Sequence, residues 1–381
     1  DVHREQSGGG GVDRHGGRDA TQVDLIEQYV HVLDRIDRNP HPAYLTSVVI
    51  GKYAESKEGN LYYYVPQERK QDAAMSFERT PEMVKFFEDY LGTKYPYEKY
   101  SQVAVQDFVY GGMENSSAIV FATNLFEPRA AERVSPVSRI RSGLVEIVAH
   151  EIAHQWFGDS VTESTWSDLW LSEGFATYFA GMFVQRYESE EAFQRYMRDA
   201  AASVFAYEKK KRVPIFDRET ESLMDLLNPN NYQKGAWVLH MLRSNLGDDA
   251  FFRGIRAYYE SHKNSVASTE DLRAALEKAS GKDLRGFFTR WVYDSGHPQY
   301  ELKWYWLRKK ELRVVLTQTQ AGNAFADPVH VTISTGRGKR DVVLKPTGKL
   351  LIERIPLREA PIKIEVDPNN QLLDESIISG G

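Results

Sequence analysis

"VAHEIAHQWFGDS", residues 148–160, is the stretch from which the rest of this chain is read. Its two histidines, His150 and His154, stand at i and i+4. On a helix that spacing puts both side chains on one face, with Cβ atoms roughly 5–6 Å apart, so that both imidazoles reach one metal ion. Glu151 follows the first histidine and is rotated around the helix, where it addresses a water rather than the ion. Taken alone, the stretch also admits a buried helix that carries two histidines and no metal. Leu144, Ile147, Val148, Ile152 and the Gln155-Trp156 pair fit such a helix, and Gly158 marks its C-terminal stop.

Glu173 decides between the two. It lies inside "LWLSEGFATYF" (169–179), a segment so apolar and aromatic that a carboxylate there faces the interior and needs a partner. A metal ion is such a partner. Two histidines and one glutamate form a three-ligand set with its fourth position open to water, the arrangement of a catalytic zinc site. A histidine at 160 would indicate the three-histidine variant, but that position is Ser160. The pattern is that of a glutamate-type zincin, with Glu151 as the base that takes a proton from water and passes it to a leaving amine. Such chemistry also needs a donor for the developing oxyanion, commonly worth about 3–4 kcal/mol. Composition does not choose among the 21 tyrosines.

Outward from this centre, the composition sets limits. The 381 residues are 41% hydrophobic and 12% aromatic, enough to bury a sizeable core. A net charge of −6 gives no electrostatic ground for nucleic acid as a partner. The basic run Lys209–Arg212 is expected to be a solvated loop before Pro214. There is no cysteine, so disulfides and thiolate ligands are excluded, and no apolar stretch is long enough for membrane insertion. Residues 1–20 are rich in Gly, Arg and His and read as a flexible or engineered end, with His3 and His15 incidental.

Strands are expected at 44–50, 61–65 and 102–109, with a helix from Thr80 as N-cap through Pro81 to Gly92. From 142 to 295 the pattern is mostly helical: beyond the histidine helix, helices fit 167–187, 235–246, 249–262, 269–280 and 283–293. The 269–280 helix opens with a capping box of Ser268 and Asp271 and closes at Gly281. After Gly296-His297-Pro298 the period becomes two, and six short strands indicate a β-sandwich. The expected class is α+β: a thermolysin-like zincin domain with a small mixed sheet and a helical part (41–298), then a small β-sandwich domain (299–381).

Three separate motifs then resemble one family, the aminopeptidase N-like zinc metallopeptidases that include the leukotriene hydrolase. "HEIAHQWFGDSVTESTWSDLWLSEGFATYFA" (150–180) matches the family's zinc signature, "GGMEN" (111–115) its exopeptidase motif, and "NYQKGAWVLHMLRSNLG" (231–247) the segment with its catalytic tyrosine. The resemblance covers roughly residues 40–369. It implies one zinc ion per chain on His150, His154 and Glu173, with Glu151 as general base and Tyr232 stabilising the oxyanion. It further implies that Gly111, Gly112 and Met113 line the substrate backbone while Glu114, with Asn115 beside it, binds the free α-amine. Charge-assisted hydrogen bonds of roughly 1.5–3 kcal/mol each suit that task. The implied partners are peptides with a free N-terminus, and family domains that could associate with this chain. Residues 1–40 would be a remnant of an N-terminal β domain, and the chain a fragment, processed form or reduced variant. The resemblance also includes a bifunctional enzyme that opens an epoxide, and non-catalytic scaffold subunits.

Overall fold

A computed structural model describes residues 39–70, 76–126, 138–220, 222–307 and 310–380. The readings of residues 1–20, with His3 and His15, and nearly all of the 1–40 remnant lie outside them. The first layer is a mixed five-stranded sheet in the order β1-β2-β3-β5-β4, formed by β1 (Tyr53–Glu58), β2 (Leu61–Pro66), β3 (Tyr100–Val105), β4 (Gly112–Met113) and β5 (Ala118–Ala122). β2, β3 and β5 run parallel, while β1 and β4 pair antiparallel at the two edges. Helix α1 (Thr80–Leu91) crosses over between β2 and β3 and buries Met83, Phe86 and Phe87. The short strand β4 carries the glycine-rich motif and, among the described residues, pairs only with β5, which leaves an edge of the kind that can pair with another chain.

The helical part packs against this layer: α2 (Ser138–His154), α3 (Trp170–Tyr187), α4 (Glu190–Glu208), α5 (Gly235–Leu246), α6 (Asp248–His262), α7 (Thr269–Ser280) and α8 (Arg285–Trp291). Helix α3 is apolar all round and buried from Trp170 to Val184, the pattern of a helix enclosed by others. Its close neighbour is the start of α5: a Cβ on Gly235 would lie 2.9 Å from the Gly174 Cα, so only glycine permits that approach. The capping box of α7 forms as expected, with Ser268 and Asp271 bonded reciprocally and Gly281 left-handed at the end. A two-stranded parallel link, β6 (Val161–Glu163) with β7 (Ser265–Ala267), ties the segment after α2 to the start of α7.

Beyond Pro298, seven strands form two sheets. One is β12-β9-β8-β14 and the other β11-β10-β13, from β8 (Gln299–Leu307), β9 (Glu311–Gln318), β10 (Val329–Thr335), β11 (Gly338–Leu344), β12 (Leu350–Pro356), β13 (Lys363–Val366) and β14 (Glu375–Gly380). Strand β9 alternates strictly, burying Leu312, Val314, Leu316 and Gln318 against residues of the other sheet such as Val331 and Ile333. The α+β class and the β-rich module are as expected.

Several local expectations differ. Residues 46–50 form no strand: only a short 3₁₀ turn, Ala43–Leu45, precedes β1, and Val48 and Ile50 stay exposed. Apolar β-branched residues make a strand only where they pair with a neighbour, and among the described residues 46–50 pair with none. Thr80 is not the N-cap of α1, because Arg79 holds that place, and the buried Thr80 hydroxyl donates to Gln102 instead. The strand expected at 102–109 stops at Val105, since Asp107 turns to positive φ. The 167–187 helix begins as a 3₁₀ turn at Trp166–Asp168, and helix α4 and strand β14 are additional elements. The basic run Lys209–Arg212 is an exposed turn and loop as expected, with Arg212 also donating to the Ser295 and Ala321 carbonyls.

Candidate active site

The site is built from α2, α3, the turn before α5 and the edge strand β4. The last two turns of α2 present His150 and His154, and the first turn of α3 presents Glu173. The two Nε2 atoms stand 3.0 Å apart, and Glu173 Oε2 lies 3.2 Å from the first and 3.3 Å from the second. Three basic atoms converging this closely repel one another unless something positive lies between them. A tetrahedral zinc ion with bonds of ~2.0–2.1 Å would set its ligand atoms about 3.3 Å apart, so the donor types and spacing fit that ion. These side chains therefore form a candidate metal site.

Each ligand is itself held. His154 Nδ1 faces the Phe157 carbonyl at 3.2 Å and the Ser172 hydroxyl at 2.9 Å, which leaves Nε2 for the cluster. The Tyr232 hydroxyl donates to Glu173 Oε1 at 2.7 Å, and its ring stacks on His150 with centroids 6.0 Å apart. Burial, followed by the charge of Glu173, pushes the Tyr232 hydroxyl far above the usual phenol range. Tyr232 sits in a π-helical turn, Asn230–Lys234, a local distortion common at functional positions.

Glu151 is buried, with Oε2 lacking a hydrogen-bond partner among the described residues. The β4 backbone touches it so closely that a Cβ at Gly112 would fall 2.3 Å from its Oε1, and only glycine allows the contact. Glu114 is buried too, with a carboxylate oxygen within 4.8 Å of the nearest ligand atoms of Glu151 and His154. Burial raises the carboxyl pKa of both, opposed by the charge of His154 and reinforced by Glu173. Gly111, Gly112, Met113, Glu114, His150, Glu151, His154, Glu173 and Tyr232 all line one cavity of about 1280 Å³. Asn115 does not line it: its amide is spent on the Leu45 carbonyl, 3.1 Å away.

Other residues that hold the site were not singled out for it by the sequence. Gln155 is fully buried and fastens the glycine-rich motif to α2, donating to the Glu114 carbonyl and accepting from the Ser117 amide. The sequence suggests this only indirectly, since an amide on a buried helix must find partners. Tyr44 lines the cavity and donates to Glu163, whose carboxyl burial and the Glu114 charge push up to about 7.

Fold and site together define a zincin-type α+β peptidase architecture followed by a β-rich module. The description "Peptidase family M1 domain" matches residues 75–291, more than half of the chain, and the chain belongs to that family. It is 35% identical over 263 residues to aminopeptidase N of Lactococcus lactis subsp. lactis, covering 65% of this chain and 30% of that protein. Over 314 residues it is 27% identical to aminopeptidase M1-C of Oryza sativa subsp. japonica, covering 79% of this chain and 35% of that one. It thus spans about a third of the length of these relatives. Among solved structures, Legionella pneumophila aminopeptidase A in complex with aspartic acid shares the fold, with a TM-score of 0.76 at 19% identity, over 89% of this chain and 40% of that one.

Proposed function

We propose that this chain carries the catalytic apparatus of a zinc aminopeptidase, which hydrolyses the first peptide bond of peptides with a free α-amine. The observation that carries the reading is the convergence of His150, His154 and Glu173 beside the buried, partly unpartnered Glu151, with the carboxylate of Glu114 in the same cavity close to Glu151 and His154. One zinc ion on the three ligands would supply Lewis acidity at the scissile carbonyl and acidify a coordinated water. Glu151 takes the proton of the attacking water and delivers it to the leaving amine nitrogen, so the base is regenerated each turnover. Tyr232 exchanges its hydrogen bond to Glu173 for one to the developing oxyanion, and its ring is steadied on His150. Glu114 holds the substrate ammonium, while the β4 backbone pairs with the peptide as an added strand. Asn115 acts one step removed, holding the motif against residues 44–45.

The division into a peptidase domain (41–298) and a β-module (299–381) belongs to this reading, as does association with further family domains. The scaffold alternative is not favoured, because the full set of ligands and base stands in one cavity, and the epoxide-opening one has no specific observation in its favour. The test is hydrolysis of an alanyl peptide and its N-acetylated twin, with and without 1,10-phenanthroline. Cleavage of the free-amine peptide alone, abolished by the chelator, is expected. Equal cleavage of both peptides removes Glu114 from amine binding, and no chelator-sensitive cleavage of either refutes the reading.

A further inference from the structure

The cavity does not end at the ligand cluster. The edge strand and helix α2 run in the same direction, which orients any peptide lying between them. At one end Gln155 donates to the Glu114 carbonyl; next, Gly112 abuts Glu151; then a Cβ at Gly111 would meet Ile147 at 4.0 Å. Stepping back along the strand from Glu114 to Gly111 therefore climbs α2 from Gln155 to Ile147. A substrate with its ammonium on Glu114 and its scissile bond at the three ligands sends its leaving portion past Ile147. There the same cavity continues, lined by Glu146, Val184, Glu188, Arg195 and Asp199. Glu151 opens into this cavity with a buried carboxylate oxygen that has no partner among the described residues, an independent sign that a ligand completes it.

Three carboxylates and one guanidinium line that branch. Glu146 has no hydrogen bond or ion pair among the described residues. Burial, then the charges of Glu188 and Asp199, push its carboxyl up to about 7. Arg195 acts on Glu191, on its own helix, as well as facing the branch. Resting on the function proposed above, we infer that this branch receives the side chain following the scissile bond and selects a cation there, so that peptides with Lys or Arg in second position are the preferred class. The dimensions agree: Glu146 is one turn before His150, about 6 Å along the helix axis, within the span of an extended lysine side chain.

The test compares Ala-Lys-amide, Ala-Leu-amide and Ala-Glu-amide in two ways. Hydrolysis by the wild-type protein should favour Lys over Leu by about tenfold in kcat/KM, with Glu poorest. Calorimetric binding to the zinc-loaded Glu151→Gln variant should give the same order without turnover. Glu146→Gln, with Asp199→Asn as a second variant should the first not fold, should bring the Lys/Leu ratio to within about threefold of one. Hydrolysis with no preference for Lys overturns the inference and leaves the aminopeptidase reading intact. Tighter binding of the Lys peptide without hydrolysis of any peptide does the reverse. A preference that survives both substitutions overturns the assignment to this branch.

Discussion

Lys234 offers the sharpest test of how the site is held. Its side chain is fully buried, with Nζ 2.7 Å from Glu208 Oε1 and 3.0 Å from the Gly296 carbonyl. The other Glu208 oxygen lies 2.6 Å from His297 Nδ1, and His297 Nε2 reaches Glu375 at 3.1 Å. Burial by itself would raise the Glu208 carboxyl, and likewise lower the lysine, but the His297 hydrogen bond and the charge of Lys234 prevail and pull Glu208 from 4.5 down to about 2. A carboxyl depressed in the folded state stabilises it above the unfolded value and ceases to do so as pH falls through the folded one. The drop corresponds to roughly 3 kcal/mol, present above pH 4.5 and lost between there and about pH 2. Lys234→Met leaves Glu208 buried without its cation, a change of the kind that costs about 3–5 kcal/mol. Urea denaturation followed by tryptophan fluorescence at pH 7 and pH 4 measures both effects. The variant should lose stability at pH 7 and less at pH 4, and the Glu208→Gln, Lys234→Met double variant should regain at least ~1.5 kcal/mol over the sum of the single losses. A single variant within about 1 kcal/mol of wild type at pH 7, with an unchanged acid profile, would refute the assignment.

Three further perturbations separate the parts of the site. Tyr232→Phe should lower kcat by ~10²–10³-fold with zinc content by atomic absorption unchanged; an unaltered rate removes it from oxyanion binding. Gly112→Ala drives a methyl group into the Glu151 carboxylate and should cost ~10²-fold in kcat while circular dichroism stays native; near-normal turnover would mean that β4 yields freely. Ser172→Ala deletes one of the two partners of His154 Nδ1 and should weaken zinc affinity by about tenfold in a competitive chelator titration. Unchanged affinity would assign the orientation of that ring to the Phe157 carbonyl alone.

What the sequence made legible was mostly local. His150 and His154 were readable because four residues of helix fix their geometry, and Glu173 because a carboxylate in so apolar a helix demands a partner. Helix α4 carried its own signals, Ser189 as N-cap before Glu190 and Glu191 and an apolar stripe of Phe193, Met197, Ala200 and Val204, yet these were absorbed into a generally helical region. Residues 44–50 misled for the opposite reason: the residue types favour a strand, but pairing depends on a neighbour that a linear reading does not contain. The acidic branch beyond Ile147 was out of reach because its wall comes from α2, the end of α3 and α4, which only packing brings together.

The π-helical turn Asn230–Lys234 joins what the sequence kept apart. Residues two positions apart in a helical turn point to opposite sides, so Tyr232 faces His150 and Glu173 while Lys234 faces Glu208. The turn is a thin wall with the reacting groups on one surface and a buried ion cluster on the other. That cluster includes Glu375, at the start of β14, through His297. The β-rich module is thereby fastened to the residue that aims the tyrosine. A rotation of this turn that moved Tyr232 off Glu173 would also draw Lys234 from Glu208 and leave a buried charge unpaired, which is a physical reason for Tyr232 to hold one position. Precision in the tyrosine and attachment of the module are thus one structural property, and the stability lost on breaking the Lys234 pair should be accompanied by a fall in kcat.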